Sequence, residues 1–189
     1  MKPINIVLCG LGGQGILFMT KIMAQAATAK DLNIIGAETH GMAQRGGSVV
    51  SHLRIGDVEN SLVKTGSAHF LLSLEENEAY RNIPFLDREG SLYVNAKTDR
   101  FPRAEVKPYL KKTGIIYRSV PAGEIAMGLG APMSSNLALL GFFSVFHEVP
   151  LTYEDLRETI DHISPDRFKE INLKVFDAGV QKGKEESRL

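Results

Sequence analysis

Cysteine is almost absent from this chain of 189 residues, in which Cys9 is the single thiol. One thiol cannot form a disulfide within the chain. It also cannot supply the ligands of a four-cysteine iron–sulfur cluster or of a cysteine-rich zinc site. Because disulfides are rare in reducing compartments, we expect a cytoplasmic protein in which Cys9, at the end of an apolar segment, is a buried and inert side chain.

Net charge and long hydrophobic runs are missing as well. Twenty-two Lys and Arg residues balance 22 Asp and Glu residues, so no basic excess points to nucleic acid or to an anionic membrane. The longest apolar stretch, residues 137–146, is interrupted by Gly141 and Ser144 and falls far short of the roughly 20 residues that span a bilayer. The apolar run at 4–8 is too short for the core of a signal peptide. The sequence therefore predicts neither a nucleic-acid partner nor a membrane partner.

The sequence has the composition of an α/β protein, and its predicted strands and helices alternate along the chain. Hydrophobic residues make up 43% of the chain, and its length suits one domain over residues 1–189, with a charged tail at about 182–189 that we expect to fray. A strand at 4–9, a glycine loop, a helix at 16–29 and a strand at 32–38 form the opening of a parallel sheet. Further strands are predicted at 68–74, 91–95 and 115–119, and they alternate with helices. We predict a three-layer α/β/α, Rossmann-like, mostly parallel sheet.

An insertion interrupts this alternation. Residues 48–55 alternate like a strand, Gly56-Asp57 turns the chain, and residues 59–63 are predicted to return as the second strand of a β-hairpin. Farther along, the helix predicted at 134–146 is apolar nearly all round. Such a helix must be buried on most sides, either in the core of the domain or, as we favour, against another subunit.

Glycines dominate the loop that follows the first strand. Gly10, Gly12 and Gly15 satisfy the dinucleotide fingerprint, in which glycines permit a tight turn and the helix N-terminus attracts phosphate. Glu38, 23 residues after Gly15, has the spacing of an acidic residue that accepts a ribose hydroxyl. The alternative is that the glycines only let the helix pack closely on the sheet. The bulky Gln14 beside Gly13 is unlike a standard nicotinamide site.

A second polar loop covers residues 38–48. Among its side chains, Arg45 offers a planar fork for carboxylate or phosphate, and Gly46-Gly47 would let backbone amides approach a ligand closely. The alternative is a solvated loop without a ligand. The other candidate binding residues of this loop are Thr39, His40 and Gln44.

The two loops together resemble one family. Gly-Leu-Gly-Gly-Gln-Gly-Ile-Leu at 10–17 and Glu-Thr-His-Gly-Met-Ala-Gln-Arg-Gly-Gly-Ser-Val at 38–49 are similar to the gamma subunit of 2-oxoacid:ferredoxin oxidoreductases. Within that family the second motif is most similar to the beta subunit of indolepyruvate:ferredoxin oxidoreductase. The segment 132–136, with Gly141, is also similar. The resemblance spans most of the chain and is weakest after about residue 150.

The resemblance implies an activity that this chain does not carry alone. Such enzymes decarboxylate a 2-oxoacid oxidatively to an acyl-CoA and reduce ferredoxin, using thiamine diphosphate and iron–sulfur clusters. This sequence has one cysteine and no Gly-Asp-Gly thiamine motif, since Gly56-Asp57 continues with Val58. The implied partner is a large catalytic subunit that bears thiamine and the clusters. The isolated chain, for which a homodimer is one expectation, should be inactive and should work in a hetero-oligomer that reduces ferredoxin.

Two hypotheses about the site follow. In the first, the loops at 10–15 and 38–48 meet at the carboxyl edge of the sheet, where open α/β sheets bind ligands, and they face the partner's active site or coenzyme A. In the second, the chain is a free-standing NAD-type dinucleotide-binding protein. A purely structural assembly partner is a third possibility. His52 and Arg54 are predicted on one face of a strand, which we expect to be solvated; the alternative is that they line the same site. Glu75, Glu76 and Glu78 are predicted to stabilise a helix start.

Overall fold

A computed structural model describes residues 1–39, 46–146 and 149–188. Its strands are β1 (Ile4–Leu11), β2 (Ile34–Thr39), β3 (Ser48–Ile55), β4 (Ala68–Ser73), β5 (Leu86–Asn95) and β6 (Ile116–Val120). Its helices are α1 (Ile16–Ala29), α2 (Glu76–Asn82), α3 (Lys107–Thr113), α4 (Ala122–Gly128), α5 (Ser135–Ser144), α6 (Tyr153–Ile163) and α7 (Asp166–Glu186). Short 3-10 turns at Ile83–Phe85 and Pro132–Ser134 precede β5 and α5. None of the described helices is long and apolar enough to cross a membrane.

The six strands form one sheet in the order β2-β3-β1-β4-β5-β6. The strands β1, β4, β5 and β6 are parallel, whereas β3 lies between β1 and β2 and runs antiparallel to both. The mostly parallel α/β fold is confirmed. The predicted return strand at 59–63 is wrong, because β3 takes its antiparallel partners from β1 and β2 instead.

Each face of the sheet has its own apolar core. Successive side chains of a strand point to opposite faces, so Ile6 and Leu8 of β1 face one core while Val7 and Cys9 face the other. The first and larger core packs against α1 and α5. The second packs against Ala79 of α2 and Leu110 of α3. Helices therefore cover both faces.

The helix α5 is buried entirely within this chain. It lies on the sheet through Phe143, whose ring packs against those of Phe70 and Tyr93, and α7 covers its other side. Every residue from Leu137 to Val145 is buried, so no second subunit is needed to bury the helix. Of the two alternatives for this apolar segment, the core helix is confirmed and the interface helix is wrong.

The C-terminal part of the chain forms two helices, α6 and α7, each with an end held by identifiable contacts. A capping box starts α6: the Asp155 N–H donates to Thr152 Oγ1 at 3.2 Å, and the Thr152 N–H donates to Asp155 Oδ2 at 2.8 Å. The charged tail begins within a helix, because α7 continues to Glu186. Its last turns are held by the packing of Val180 and Gly183 against α5.

Candidate functional site

The two loops that the sequence singled out meet at one edge of the sheet. The Gly12 N–H donates to the Gly47 carbonyl oxygen at 2.8 Å. The meeting follows from the sheet topology: β3 is antiparallel to β1, so the start of β3 lies beside the end of β1, with Leu11 opposite Ser48. The last residue of β2, Thr39, pairs with Val50 at the same edge.

The glycine loop is closed by its own side chain. Gln14 folds back, so that the Leu11 N–H donates to Gln14 Oε1 at 2.7 Å and the Gln14 N–H donates to the Leu11 carbonyl at 3.1 Å. A Cβ on Gly10 would stand 2.7 Å from Gln14 Oε1, so the missing side chain at Gly10 makes room for the glutamine amide. Together with the bond to Gly47, three amides of the loop are engaged within the protein.

A third segment of the chain completes the edge. Gly15 has a φ of +82°, a conformation that favours glycine, and it starts α1. Asn136 Nδ2, in the first turn of α5, donates to the Gly15 carbonyl at 3.1 Å, and Asn136 itself is buried. The sequence placed Asn136 in a family-like segment but not among the binding residues, because nothing local indicates a partner 121 positions away.

A buried carboxylate anchors the beginning of β3 from the other side. Ser48 Oγ donates to Glu78 Oε2 at 2.6 Å, and Arg81 donates to Glu78 Oε1 at 3.1 Å. Glu78 is only 2% exposed, so it is more than the stabiliser of a helix start that the sequence suggested. That simpler function belongs to Glu75, which caps α2 by accepting from the Glu78 N–H at 2.9 Å. The bonds of Glu78 tie β3 to α2.

The edge is unlike a dinucleotide site. In the Rossmann arrangement β2 lies next to β1, which brings the acidic residue at the end of β2 close to the glycine loop. Here β3 separates the two strands, and at about 4.8 Å per strand spacing Glu38 is displaced by a further strand from Gly10–Gly15. The engaged amides of Leu11, Gly12 and Gln14 leave less of the loop for a pyrophosphate.

The strand β3 carries His52 and Arg54, the two residues that were predicted to lie on a solvated sheet face. His52 is buried; its Nδ1 accepts from the Val63 N–H at 3.2 Å, and its ring meets Phe85 edge-on. Burial lowers the pKa of His52 below its usual value, so the neutral form is favoured. The prediction of a solvated sheet face is therefore wrong for His52. Arg54 is held by Asn5, with Nε donating to Asn5 Oδ1 at 2.9 Å.

The single thiol is chemically quiet. Cys9 lies within β1 with no exposed surface, and burial raises its pKa to about 12. The prediction of a buried side chain is confirmed, and the raised pKa disfavours the thiolate, which is the nucleophilic and metal-binding form. Among residues 1–39, 46–146 and 149–188, no group of three or more His, Cys, Asp or Glu side chains could hold a metal ion.

The structure describes some of the predicted binding residues and not others. The structure brings Gly10, Gly12, Gly13, Gln14 and Gly15 together with Gly46 and Gly47, as the Gly12–Gly47 bond shows. The backbone of Thr39 ends β2 beside β3. His40, Gln44 and Arg45 lie outside the described residues. The described part of the edge thus forms a fixed frame on both sides of the segment 40–45.

Known proteins similar to this chain belong to the family that the two loop motifs resemble. The sequence model of the family described as pyruvate ferredoxin/flavodoxin oxidoreductase matches residues 5–182. Indolepyruvate oxidoreductase subunit IorB of Archaeoglobus fulgidus is 35% identical over 187 residues, covering 93% of each chain.

Solved structures share the fold. The gamma subunit of a keto/oxoacid ferredoxin oxidoreductase from Geobacter sulfurreducens PCA superimposes with a TM-score of 0.76 at 23% identity, over 96% of this chain and 99% of that one. The 2-oxoglutarate:ferredoxin oxidoreductase of Magnetococcus marinus gives a TM-score of 0.79 at 18% identity. That match covers 98% of this chain but 32% of the Magnetococcus chain, so the same fold there forms part of a longer polypeptide.

Proposed function

Because the chain belongs to the pyruvate ferredoxin/flavodoxin oxidoreductase family, we propose that it is the small subunit of a 2-oxoacid:ferredoxin oxidoreductase acting on indolepyruvate or a related arylpyruvate. The complex would convert the 2-oxoacid and coenzyme A to an acyl-CoA and carbon dioxide, and two electrons would pass to ferredoxin. The observation that carries the proposal is the Gly12–Gly47 hydrogen bond, since it joins the two motifs that resemble the family into one edge. The substrate class rests on the similarity to IorB.

The cofactors belong, in this proposal, to the partner chain. The only cysteine is buried in β1 and cannot reach a cluster, and Gly56-Asp57 lacks the second glycine of the thiamine motif. Thiamine diphosphate on the large subunit would supply the acyl carbanion chemistry. This chain contributes no redox centre, and alone it is inactive.

The proposed task of this chain is to hold a polar segment against that active site. Residues 40–45 are framed by Thr39, paired to Val50 in the sheet, and by Gly47, which accepts from Gly12. Thr39 and Gly47, on either side of this segment, are therefore held by backbone hydrogen bonds at the edge that carries the glycine loop. We assign contacts with the partner's site or with coenzyme A phosphates to the Gly10–Gly15 loop and to the residues of the second motif, namely Thr39, His40, Gln44, Arg45, Gly46 and Gly47.

Reconstitution tests the function directly. The chain is mixed with the large subunit of its own organism, and ferredoxin reduction is measured with indolepyruvate, pyruvate and 2-oxoglutarate as competing substrates. We expect activity only from the mixture and the highest kcat/KM with indolepyruvate. Full activity of the large subunit alone, or saturable NAD binding by the isolated chain, would contradict the proposal.

Arg45 is the side chain whose loss should be felt most. The Arg45→Ala variant removes a charge-assisted contact of about 1.5–3 kcal/mol, which is on the order of 10- to 100-fold in the KM for coenzyme A or in the affinity of the two subunits. The matched control is Arg100→Ala, which removes an exposed arginine outside both loops. If Arg45→Ala leaves both the coenzyme A KM and the assembly at the level of the control, the assignment of Arg45 is wrong.

A further inference from the structure

A groove begins where the glycine loop ends. It has a volume of about 650 Å³ and runs from Gly15 between the first turns of α5 and α7. Its walls are mostly apolar and include Phe18, Met133, Leu137 and Phe168, beside the uncharged polar residues Ser134, Asn136 and Asn172. None of its lining residues is Asp, Glu, Lys, Arg or His, whereas the cavity between α1 and α6 is lined by Lys30, Asp155, Glu158 and His162. The groove therefore suits an apolar occupant and not an ion.

The rim of the groove exposes large apolar side chains. Met133 is 72% exposed and Phe168 is 46% exposed. A neighbouring cavity shares Pro132 with the groove and is lined by Met127, which is 68% exposed. Single exposed apolar residues are ordinary on protein surfaces, but a cluster of them around an uncharged groove marks an interaction site. Met and aromatic side chains are also enriched at protein–protein interfaces.

The position of the groove selects its occupant. Gly15 both closes the glycine loop, which is proposed to face the active site of the large subunit, and lines the groove. Asn136 joins the two features, since it bonds to the Gly15 carbonyl and also lines the groove. A partner that reaches the glycine loop is thus brought directly to the groove.

The Magnetococcus structure supplies a second argument. There the same fold is about a third of a longer chain. A separate subunit has to be held by contact area, typically about 800 Å² on each partner with an apolar centre. The groove and its rim are the apolar surface that adjoins the proposed site.

We propose that the large catalytic subunit docks on this groove and buries Met133 and Phe168, an inference that rests on the function proposed above. The contact sets the glycine loop against the partner's active site.

Charge substitution on the rim tests the docking. Met133→Glu and Phe168→Glu are compared with Leu62→Glu, which alters an exposed leucine (58%) away from the groove. Binding of each purified variant to the immobilised large subunit is measured, and circular dichroism melting checks the fold of the isolated variants. We expect each rim variant to lose at least tenfold in affinity while the Leu62 variant binds like the wild type. Peroxide oxidation of Met133 should slow in the complex while that of Met1 does not.

The outcomes separate the inference from the proposed function. If the wild type and the rim variants bind the large subunit equally well, the function stands and the docking surface is wrong. If the wild-type chain does not bind the large subunit at all, both fail. If sedimentation shows instead that the rim substitutions dissolve a homodimer of the isolated chain while subunit binding is unchanged, a second copy occupies the groove and the inference is overturned.

Discussion

Glycines allow close contacts in two regions of this protein, the crossing of α5 and α7 and the glycine loop. At the crossing the close neighbours are backbone atoms, whereas in the loop they are side chains. At the crossing of α5 and α7, a Cβ on Gly141 would lie 2.2 Å from the Phe176 carbonyl oxygen, and one on Gly179 would lie 2.0 Å from the Ala138 carbonyl oxygen. In the loop, a Cβ on Gly10 or Gly15 would meet the side-chain amides of Gln14 and Asn136, at 2.7 and 2.6 Å.

The difference separates stability from the site. At the crossing, backbone faces backbone inside a closely packed interior, so an added methyl group can be accommodated only if whole helices move. In the loop the neighbours are side chains with rotatable bonds, and they shape an edge that we assign to a partner. The first group should respond mainly in stability, and the second should respond in the geometry of the edge as well.

The largest effect is expected at the crossing. Gly179→Ala should lower the free energy of unfolding by about 3 kcal/mol or more, because the methyl group forces α7 away from α5. For a chain of this size that is a fall in Tm of roughly 10 °C, measurable by calorimetry.

The matched control is Gly128→Ala in α4, where an added Cβ would have nothing within 4 Å. Alanine favours a helix more than glycine does, so this variant should be neutral or more stable by up to about 1 kcal/mol. If Gly179→Ala were as harmless as Gly128→Ala, the close helix crossing would be wrong.

A smaller effect is expected at Gly15. Gly15→Ala places a side chain at φ +82° and against Asn136, and we expect a loss of about 2–3 kcal/mol by urea unfolding. Gly13→Ala shares the positive φ (+95°) but has open space around its Cβ, so it should lose only about 1–2 kcal/mol.

The excess at Gly15 can be assigned to one neighbour. In an Asn136→Ala background, Gly15→Ala should cost no more than Gly13→Ala, because the clash is gone. The Gly15 variant should also lower subunit affinity, since its residue lies between the loop and the groove. Equal losses for Gly13→Ala and Gly15→Ala in the wild-type background would show that Asn136 moves aside without cost.

The smallest effect concerns the internal closure of the loop. Gln14→Ala removes the acceptor for the Leu11 N–H and should cost about 1 kcal/mol, since Leu11 is half-buried and water can replace part of the bond. Gln14→Glu keeps an acceptor at the same distance and should retain the stability. Hydrogen exchange of the Leu11 amide reports on the bond directly, and unchanged exchange in Gln14→Ala would contradict its role.

Local pattern was enough for many elements. The helix predicted at 16–29 and the strand predicted at 48–55 have the predicted bounds, because apolar periodicity and the glycine before the helix act over a few residues. The strand predicted at 59–63 is absent, since none of these residues lies in a strand. Val63 is buried and its N–H donates to His52, so the apolar pattern there is satisfied without a strand.

Of the candidate site, the sequence predicted the meeting of the two loops but not the distant residues that support it. That the glycine loop meets the second motif was expected from the rule for open α/β sheets, and the Gly12–Gly47 bond agrees with it. Asn136 and Glu78 were missed because their contacts with Gly15 and Ser48 span 121 and 30 positions. A single sequence carries no signal for such pairs.

The sequence by itself determined the family, the α/β alternation and the lack of a cluster ligand set, since motif identity, periodicity and composition can all be read locally. Tertiary structure alone decided that β3 enters between β1 and β2, that α5 is buried by α7 and not by a partner, and that an uncharged groove opens beside Gly15. These features arise from pairing and packing between residues far apart in the chain. Such contacts are selected by the free energy of the whole fold, in which local preference is only one contribution.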